Sequence, residues 1–182
     1  MRDRNADIMD YRRLTVLRHA RAKPPGASGG DIDRPLAKSG FKQLPSVCQL
    51  LSAAKNQPDW IVASPALRTR QTAEKVAELI GYTRNIGWND RIYAAAPYTL
   101  LNVLQETHDS AQHVLLIGHN PGVAQLVSGL CAGTDSRLNL RFPTAAMAHF
   151  ELEIARWRQL HWGSCELRFL VAPRFLKPRS RG

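Results

Sequence analysis

The chain has 182 residues, 44% of them hydrophobic and 22% charged, which is the balance of one ordinary globular domain. Its longest apolar runs, such as VLLIG, are too short to cross a bilayer, and the charged first residues lack the apolar core of a secretory signal. We therefore expect a single domain over 1–182, with its core at about 13–172, and no association with a membrane.

The formal net charge is +10, and a balance of this kind attracts anions. Much of the charge lies near the two ends, where solvated tails are common, so the charge alone does not identify a partner. The residues that we interpret as basic tails are Arg2, Arg4, Arg12, Arg13 and the terminal RFLKPRSRG.

Three cysteines, Cys48, Cys131 and Cys165, are scattered along the chain. They form no CxxC pair, and an odd number cannot all be paired within one chain. A reducing cytoplasm is therefore the simpler expectation for this protein.

Short apolar runs alternate with helical stretches, and this alternation predicts an α/β domain with a mostly parallel central sheet. The runs predicted as strands of that sheet are LTVL (14–17), DWIVA (59–63) and HVLLIG (113–118). Residues 86–93 are predicted as a short strand or a loop. After Pro143, the runs that are typical of antiparallel strands completing the sheet are AMAHFELEI, WRQLHW and ELRFLVA.

Helices are predicted at 39 to about 54, 64–81, 97–108 and 120 to about 133. Ser39 is the predicted cap of the first helix, which holds Pro45 at or near its first turn, where proline costs least. Ser64-Pro65 and Asn120-Pro121 each combine a capping residue with a following proline, which is a strong start signal. Glycines at the ends of the second and fourth helices are typical stops.

Each of the three predicted parallel strands is followed by polar residues of types that bind ligands or act in catalysis. LTVL is followed by Arg18-His19, WIVA by Ser64-Pro65 with Arg68 one turn later, and VLLIG by His119. Because ligands of open α/β sheets bind beyond the carboxyl ends of the strands, we expect these side chains to meet at one edge of the sheet.

Two arginines and two histidines together suit a phosphoryl group. The guanidinium groups of Arg18 and Arg68 match phosphate oxygens in bidentate fashion, and helix N-termini add oriented N–H groups. A neutral histidine can attack phosphorus while its other nitrogen donates to an acceptor, commonly a backbone carbonyl. The second histidine, protonated or donating, would stabilise charge on the transferring group. This chemistry needs no metal and no cofactor.

The three segments LTVLRHARA, SPALRTRQTA (64–73) and IGHNPG (117–122) resemble the histidine phosphatase superfamily. A fourth segment, DIDRPLAKSG (31–40), is similar to the D-x-x-R-P-L-x-x-x-G segment of its SixA-type phosphohistidine phosphatases. The resemblance covers about 13–172 and implies the phosphoglycerate mutase-like fold, a three-layer αβα sandwich with a mostly parallel sheet.

By position, the resemblance implies that His19 is the nucleophile that becomes phosphorylated, that Arg18 and Arg68 bind phosphate, and that His119 is the second pocket histidine. Ala20 stands where the family's motif has glycine. Since alanine adds only a methyl group, we expect it to be tolerated.

Two further residues, Asp90 and Arg34, each have two alternative roles. Asp90, in WNDRIYAA, stands near the place where many members carry a glutamate proton donor; it is either a general acid, if buried, or a solvated turn residue. Arg34 either contacts substrate or pairs with Asp31 or Asp33, and the pairing is favoured.

The implied function is a metal-independent phosphatase that works through a phosphohistidine intermediate on His19. The short link at 82–97 predicts a shallow site, which admits a phosphorylated side chain on a protein but also small phosphomonoesters, and we expect phosphate or sulfate ions to bind there. The alternatives are a broad small-molecule phosphomonoesterase and, from another class, a basic module that binds nucleic acid or acidic proteins. No motif supports nucleic-acid binding, and we expect none.

Overall fold

The computed structural model describes residues 11–26, 29–53 and 57–176. Within them, six strands form one sheet. In chain order the strands are β1 (Arg12–Arg18), β2 (Trp60–Ala63), β3 (Gly87–Trp88), β4 (His113–Gly118), β5 (Met147–Leu152) and β6 (Cys165–Val171). The α-helices are α1 (Lys38–Phe41), α2 (Leu44–Ala53), α3 (Leu67–Ile80), α4 (Pro97–Gln105) and α5 (Gly122–Ala132).

The sheet has the strand order β3-β2-β4-β1-β5-β6. Strands β1 to β4 are parallel, whereas β5 runs antiparallel to both β1 and β6. Helices cover both faces: Leu14 and Val16 of β1 pack into the core with α4 and α5, while Leu17 packs with α2 and α3. The predicted three-layer α/β architecture with a mostly parallel sheet is therefore confirmed.

The predicted helix from Ser39 is in fact two helices, α1 and α2, and Ala37 rather than Ser39 caps the first of them. Pro45 explains the break. Proline has no N–H to donate to the carbonyl of Phe41, and its ring collides with that carbonyl. The predicted end at Ala54 lies outside the described residues.

Two helix starts were predicted slightly too early. Helix α3 begins at Leu67 with Ala66 as its cap, and α5 begins at Gly122 after Pro121. The Ser64 hydroxyl accepts from the Ala66 N–H and also contacts His119, whereas the Asn120 amide donates to the Phe142 carbonyl. The predicted glycine stops are confirmed, since Gly81 and Gly133 both cap their helices in the left-handed conformation.

The run WRQLHW was predicted as a strand, and this is wrong. Residues Trp157–Gln159 form a 3-10 turn, because the fully buried indole of Trp157 is anchored by a 2.8 Å hydrogen bond to the carbonyl of Ala111. The other two runs after Pro143 form β5 and β6, antiparallel as predicted.

Arg12 and Arg13 are not part of a solvated tail, because both belong to β1. Arg12 is 5% exposed and donates hydrogen bonds to the carbonyls of Ala111 and Ala155. Its guanidinium carbon lies 5.9 Å from the ring centre of Trp157. The segments 1–10 and 177–182, which hold most of the predicted tails, lie outside the described residues.

No helix in the described ranges combines the length and the apolar character that crossing a membrane requires. The three cysteines are free thiols.

A buried polar cluster lies on the α2 and α3 face of the sheet. The Thr15 hydroxyl lies 2.8 Å from Nε2 of His113 and 2.8 Å from Nδ1 of His149, and the His149 ring stacks on Phe169. Burial, followed by the charges of Arg13 and Arg168, lowers the pKa of His149 to about 4.

This lowered pKa predicts a stability loss in mild acid. The unfolded chain takes up a proton below the ordinary histidine pKa of about 6.5, whereas folded His149 stays neutral until about pH 4. The free energy of unfolding should therefore fall between pH 7 and pH 5, by about 1 to 2 kcal/mol from this residue. Urea unfolding of His149→Gln should show a pH dependence smaller by that amount, and the exposed His161→Gln serves as the control. An unchanged pH dependence in His149→Gln would contradict the assignment.

Candidate active site

The ends of β1, β2 and β4 bring the predicted site residues together. Arg18 lies opposite Gly118 in the parallel β1–β4 pair, and the backbone N–H of His19 continues the ladder by donating to the Gly118 carbonyl at 3.1 Å. The Ser64 N–H likewise donates to the Ile117 carbonyl at 3.2 Å and so continues the pairing of β2 with β4. The residues that follow three neighbouring strands are thus placed side by side, as the sequence predicted.

His19 is buried in a defined orientation. Its Nδ1 lies 2.8 Å from the carbonyl oxygen of Ala20, and because a carbonyl can only accept, Nδ1 carries the proton. The ring is 8% exposed, and no described residue hydrogen-bonds to its Nε2. Burial, followed by the charges of Arg68 and Arg18, lowers the pKa of His19 to about 4. At neutral pH the ring is therefore uncharged, with a free lone pair on Nε2.

The turn after His19 is held from α3. The Ala20 N–H donates to the Thr72 hydroxyl at 3.1 Å, and that hydroxyl donates to the Arg68 carbonyl at 2.7 Å. Positive φ angles at non-glycine residues occur, among the described residues, only at Ala94 and Ala145. Ala20 therefore adopts a conformation open to any residue, and the expected tolerance of alanine there agrees with the structure.

His119 lies beside His19, with 5.1 Å between the ring centres. Its Nε2 lies 2.9 Å from the Ser64 hydroxyl and 3.3 Å from the Thr69 hydroxyl. Its Nδ1 is buried and has no partner among the described residues. Burial, followed by the charges of His19 and Arg68, lowers the pKa of His119 to about 3.

Arg18 is held by the segment that precedes β5. Its Nη1 donates to the Phe142 carbonyl at 2.9 Å, and the same carbonyl accepts from the Asn120 amide at 2.9 Å. The backbone of Ala145 donates to the carbonyls of Arg18 and His19, each at 3.2 Å. The Nε of Arg18 is buried without a partner among the described residues, so its proton is committed to none of them.

Arg68 is anchored by a residue that the sequence did not assign to it. Its Nη1 donates to the backbone carbonyl of Asp31, and its Nη2 lies 2.8 Å from the Asp31 carboxylate. The Tyr93 hydroxyl donates to the same carboxylate at 3.0 Å, and the Tyr93 ring packs edge-on against His119. Two of the five guanidinium protons are used in this way, and the other three have no hydrogen-bond partner among the described residues.

Arg34 pairs with Asp31, and this pairing is the alternative that the sequence favoured. Its Nη1 lies 2.7 Å from the carboxylate, and its other donors bond to the Lys23 carbonyl. The hydrogen bond from Arg34, followed by those from Tyr93 and Arg68, lowers the pKa of Asp31 to about 2. Asp31 is thus an ionised carboxylate that ties the segment after β1 to α3.

Asp90 follows β3 at this edge of the sheet, but its side chain forms no hydrogen bond or ion pair with the described site residues. It begins a 3-10 turn at Asp90–Ile92, and its side chain is exposed and has no hydrogen bond or ion pair to a described residue. The structure therefore favours the solvated turn residue over the buried general acid. The residue of this segment that contacts the site is Tyr93, three positions after Asp90.

The residues missed by sequence reasoning are Asp31 as the partner of Arg68, Tyr93, Thr72 and the 142–146 segment. Of these, only Asp31 had a signal in the sequence, which is its place at the start of the pattern DIDRPLAKSG. Among the described residues, no group of three or more His, Cys, Asp or Glu side chains is arranged to hold a metal ion. The assembled groups suit an oxyanion: uncommitted guanidinium N–H groups of Arg68, the positive charge of Arg18 and the neutral His119 ring lie with the free lone pair of His19.

The comparisons with known proteins agree with this geometry. The profile of the histidine phosphatase superfamily (branch 1) matches residues 14–91. An uncharacterized protein of Mycobacterium tuberculosis strain H37Rv is 30% identical over 156 residues, which are 82% of this chain and 92% of that protein. The chain belongs to the histidine phosphatase superfamily.

Within this superfamily the similarity is to the SixA-type branch. Phosphohistidine phosphatase SixA of Escherichia coli K12 is 26% identical over 161 residues, 86% of this chain and 97% of that protein. A structure of the protein histidine phosphatase SixA complexed with tungstate has a TM-score of 0.76 at 25% identity, covering 91% of this chain and 99% of that one. The predicted family and its phosphoglycerate mutase-like fold are confirmed, and the chain is a phosphatase that acts on phosphorylated substrates.

The lowered histidine pKa values give a test of this phosphatase site in solution. In ¹⁵N NMR spectra, His19 should remain the neutral Nδ1–H tautomer from pH 8 to pH 5, and His119 should also remain neutral, because burial disfavours their charged forms. The variants His19→Asn and His119→Asn assign the signals. A titration midpoint near the ordinary histidine value, or the opposite tautomer of His19, would contradict the geometry.

Proposed function

We propose that this phosphatase hydrolyses phosphohistidine in a phosphoprotein, through a covalent phosphohistidine intermediate on Nε2 of His19. The observation that carries the proposal is the buried, neutral His19, whose proton is held on Nδ1 by the Ala20 carbonyl at 2.8 Å. A neutral imidazole with a free lone pair is a good nucleophile toward phosphorus near pH 7.

The first step transfers the phosphoryl group. The Nε2 lone pair of His19 forms a bond to phosphorus as the P–N bond of the substrate breaks, and the departing imidazole takes up a proton from water. The free protons of Arg68 and the positive charge of Arg18 stabilise the phosphoryl oxygens during transfer. In the second step, water attacks phosphorus, the bond to His19 breaks, and inorganic phosphate leaves.

Ser64 directs the second histidine in this scheme. Its hydroxyl oxygen accepts from the Ala66 N–H at 3.3 Å, so its own proton is free to be donated to Nε2 of His119 at 2.9 Å. His119 then carries its proton on Nδ1, the buried nitrogen without a partner among the described residues, and stands as a neutral, polar ring beside His19.

The charge state of Asp31 supports phosphohistidine over an alkyl phosphate. Asp31 is the carboxylate that contacts the site in the described part of the chain, and its pKa of about 2 keeps it ionised. It therefore has no proton to give to a departing alkoxide. An imidazole leaving group is readily protonated and needs no such acid, and the names of the SixA relatives agree with this substrate.

The rival within the family is a broad phosphomonoesterase, and leaving-group dependence separates the two. A phosphohistidine protein and p-nitrophenyl phosphate, which has a good leaving group, should both be hydrolysed. Phosphoserine should react at least about 100-fold more slowly in kcat/KM, which is the usual contribution of a general acid. Equal rates for phosphoserine and phosphohistidine would contradict the proposal.

The intermediate is tested with His19 variants. Brief incubation with ³²P-labelled substrate should leave acid-labile label on the wild-type protein and none on His19→Ala. His161→Gln, which changes an exposed histidine, is the control and should be labelled normally. If His19→Ala retained full turnover, the mechanism would be excluded. Salt-sensitive binding of polyanions without any turnover would instead favour the basic binding module. The cytoplasmic location stays a prediction.

A further inference from the structure

A second cavity lies beside the phosphoryl site, on the same edge of the sheet. It has a volume of about 570 Å³, within the range of ligand pockets. It lies between the first turn of α5 and the segment that connects α5 to β5. Its lining side chains that can form hydrogen bonds are Asn120, Gln125, Asp135, Ser136 and Asn139, and the apolar residues Pro121, Ala124, Leu138 and Leu140 complete the wall.

One atom, the carbonyl oxygen of Phe142, links the cavity to the catalytic residues. Asn120 directly follows His119, and its amide donates to the Phe142 carbonyl, which also accepts from Arg18. A group bound in the cavity therefore lies next to the residues that hold the phosphoryl group. The substrate atoms closest to the phosphoryl group are those of the residue that carries it and of the adjoining chain.

The chemistry of the cavity differs from that of the phosphoryl site. No arginine or lysine lines it, and its charged residue is the carboxylate of Asp135, in a chain whose net charge is +10. Asp135 has no ion pair to a described residue. The amide and hydroxyl side chains of the lining, on Asn120, Gln125, Ser136 and Asn139, can form hydrogen bonds with a ligand. Amides and hydroxyls suit a peptide backbone, and a free carboxylate suits a cation.

We propose that this cavity is the subsite for the polypeptide next to the phosphorylated residue, and that Asp135 binds a lysine or arginine side chain of that polypeptide. The proposal rests on the proposed function, because it assumes that the phosphoryl group arrives on a protein. It makes Asp135 a specificity residue that binds substrate away from the reacting atoms.

The test compares two phosphohistidine peptides that differ only in a lysine or a glutamate beside the phosphohistidine. Wild-type protein should prefer the lysine peptide by about threefold to fivefold in kcat/KM, as one ion pair of this exposure allows. Asp135→Asn should remove the preference through KM, and Asp135→Lys should reverse it. Turnover of p-nitrophenyl phosphate should be unchanged in both variants.

The matched control is Glu153→Gln, which removes the same charge from an exposed residue just after β5, at the opposite edge of the sheet. It should keep the wild-type preference. Absence of a preference in the wild type, or its persistence in Asp135→Asn, would overturn the subsite.

A binding measurement separates this proposal from the proposed function. Unphosphorylated lysine and glutamate peptides, labelled with a fluorophore, are titrated with wild-type protein and Asp135→Asn. Tighter binding of the lysine peptide, lost in the variant, supports the subsite even if phosphohistidine is not hydrolysed. Equal binding of both peptides overturns the subsite even if phosphohistidine is hydrolysed.

Discussion

The His19 ring donates its Nδ1 proton to the Ala20 carbonyl across 2.8 Å, and the other features of the site depend on this hydrogen bond. It fixes the tautomer, and so leaves the lone pair on Nε2. The Thr72 hydroxyl holds the same turn from α3, and Ala145 holds it from the segment before β5. Contacts from α3 and from the segment before β5 thus orient the imidazole ring of His19.

Burial and nearby positive charge both lower the pKa values of the two histidines in the site. The desolvated histidines and the neighbouring guanidinium groups lower the histidine pKa values to about 4 and about 3, which favours neutral rings before a phosphoryl group binds. The cationic groups then suit the dianion that arrives. Asp31 anchors Arg68 but remains ionised, so the arrangement suits leaving groups that need little acid assistance. The polar cavity beyond Asn120 adds a place for the rest of such a substrate.

Much of this arrangement could be predicted from the sequence, because strand ends in a parallel sheet meet at one edge. That rule brought together Arg18, His19, Arg68 and His119 from segments far apart in the chain. It could not find the pairing of Arg68 with Asp31, since that contact depends on how the segment at 29–36 folds back onto α3. Local patterns failed where a tertiary contact decided the structure, as at Trp157, or where proline interrupted a hydrophobic repeat, as at Pro45.

The most direct test of this account is the position of the phosphoryl group on His19. The trapped phosphoprotein, prepared with ¹⁵N-labelled histidine, shows by ³¹P–¹⁵N coupling in NMR which ring nitrogen is bonded to phosphorus. Because Nδ1 is committed to the Ala20 carbonyl, the account predicts phosphorylation on Nε2 alone. Phosphorus bonded to Nδ1 of His19, or to a ring nitrogen of His119, would contradict it.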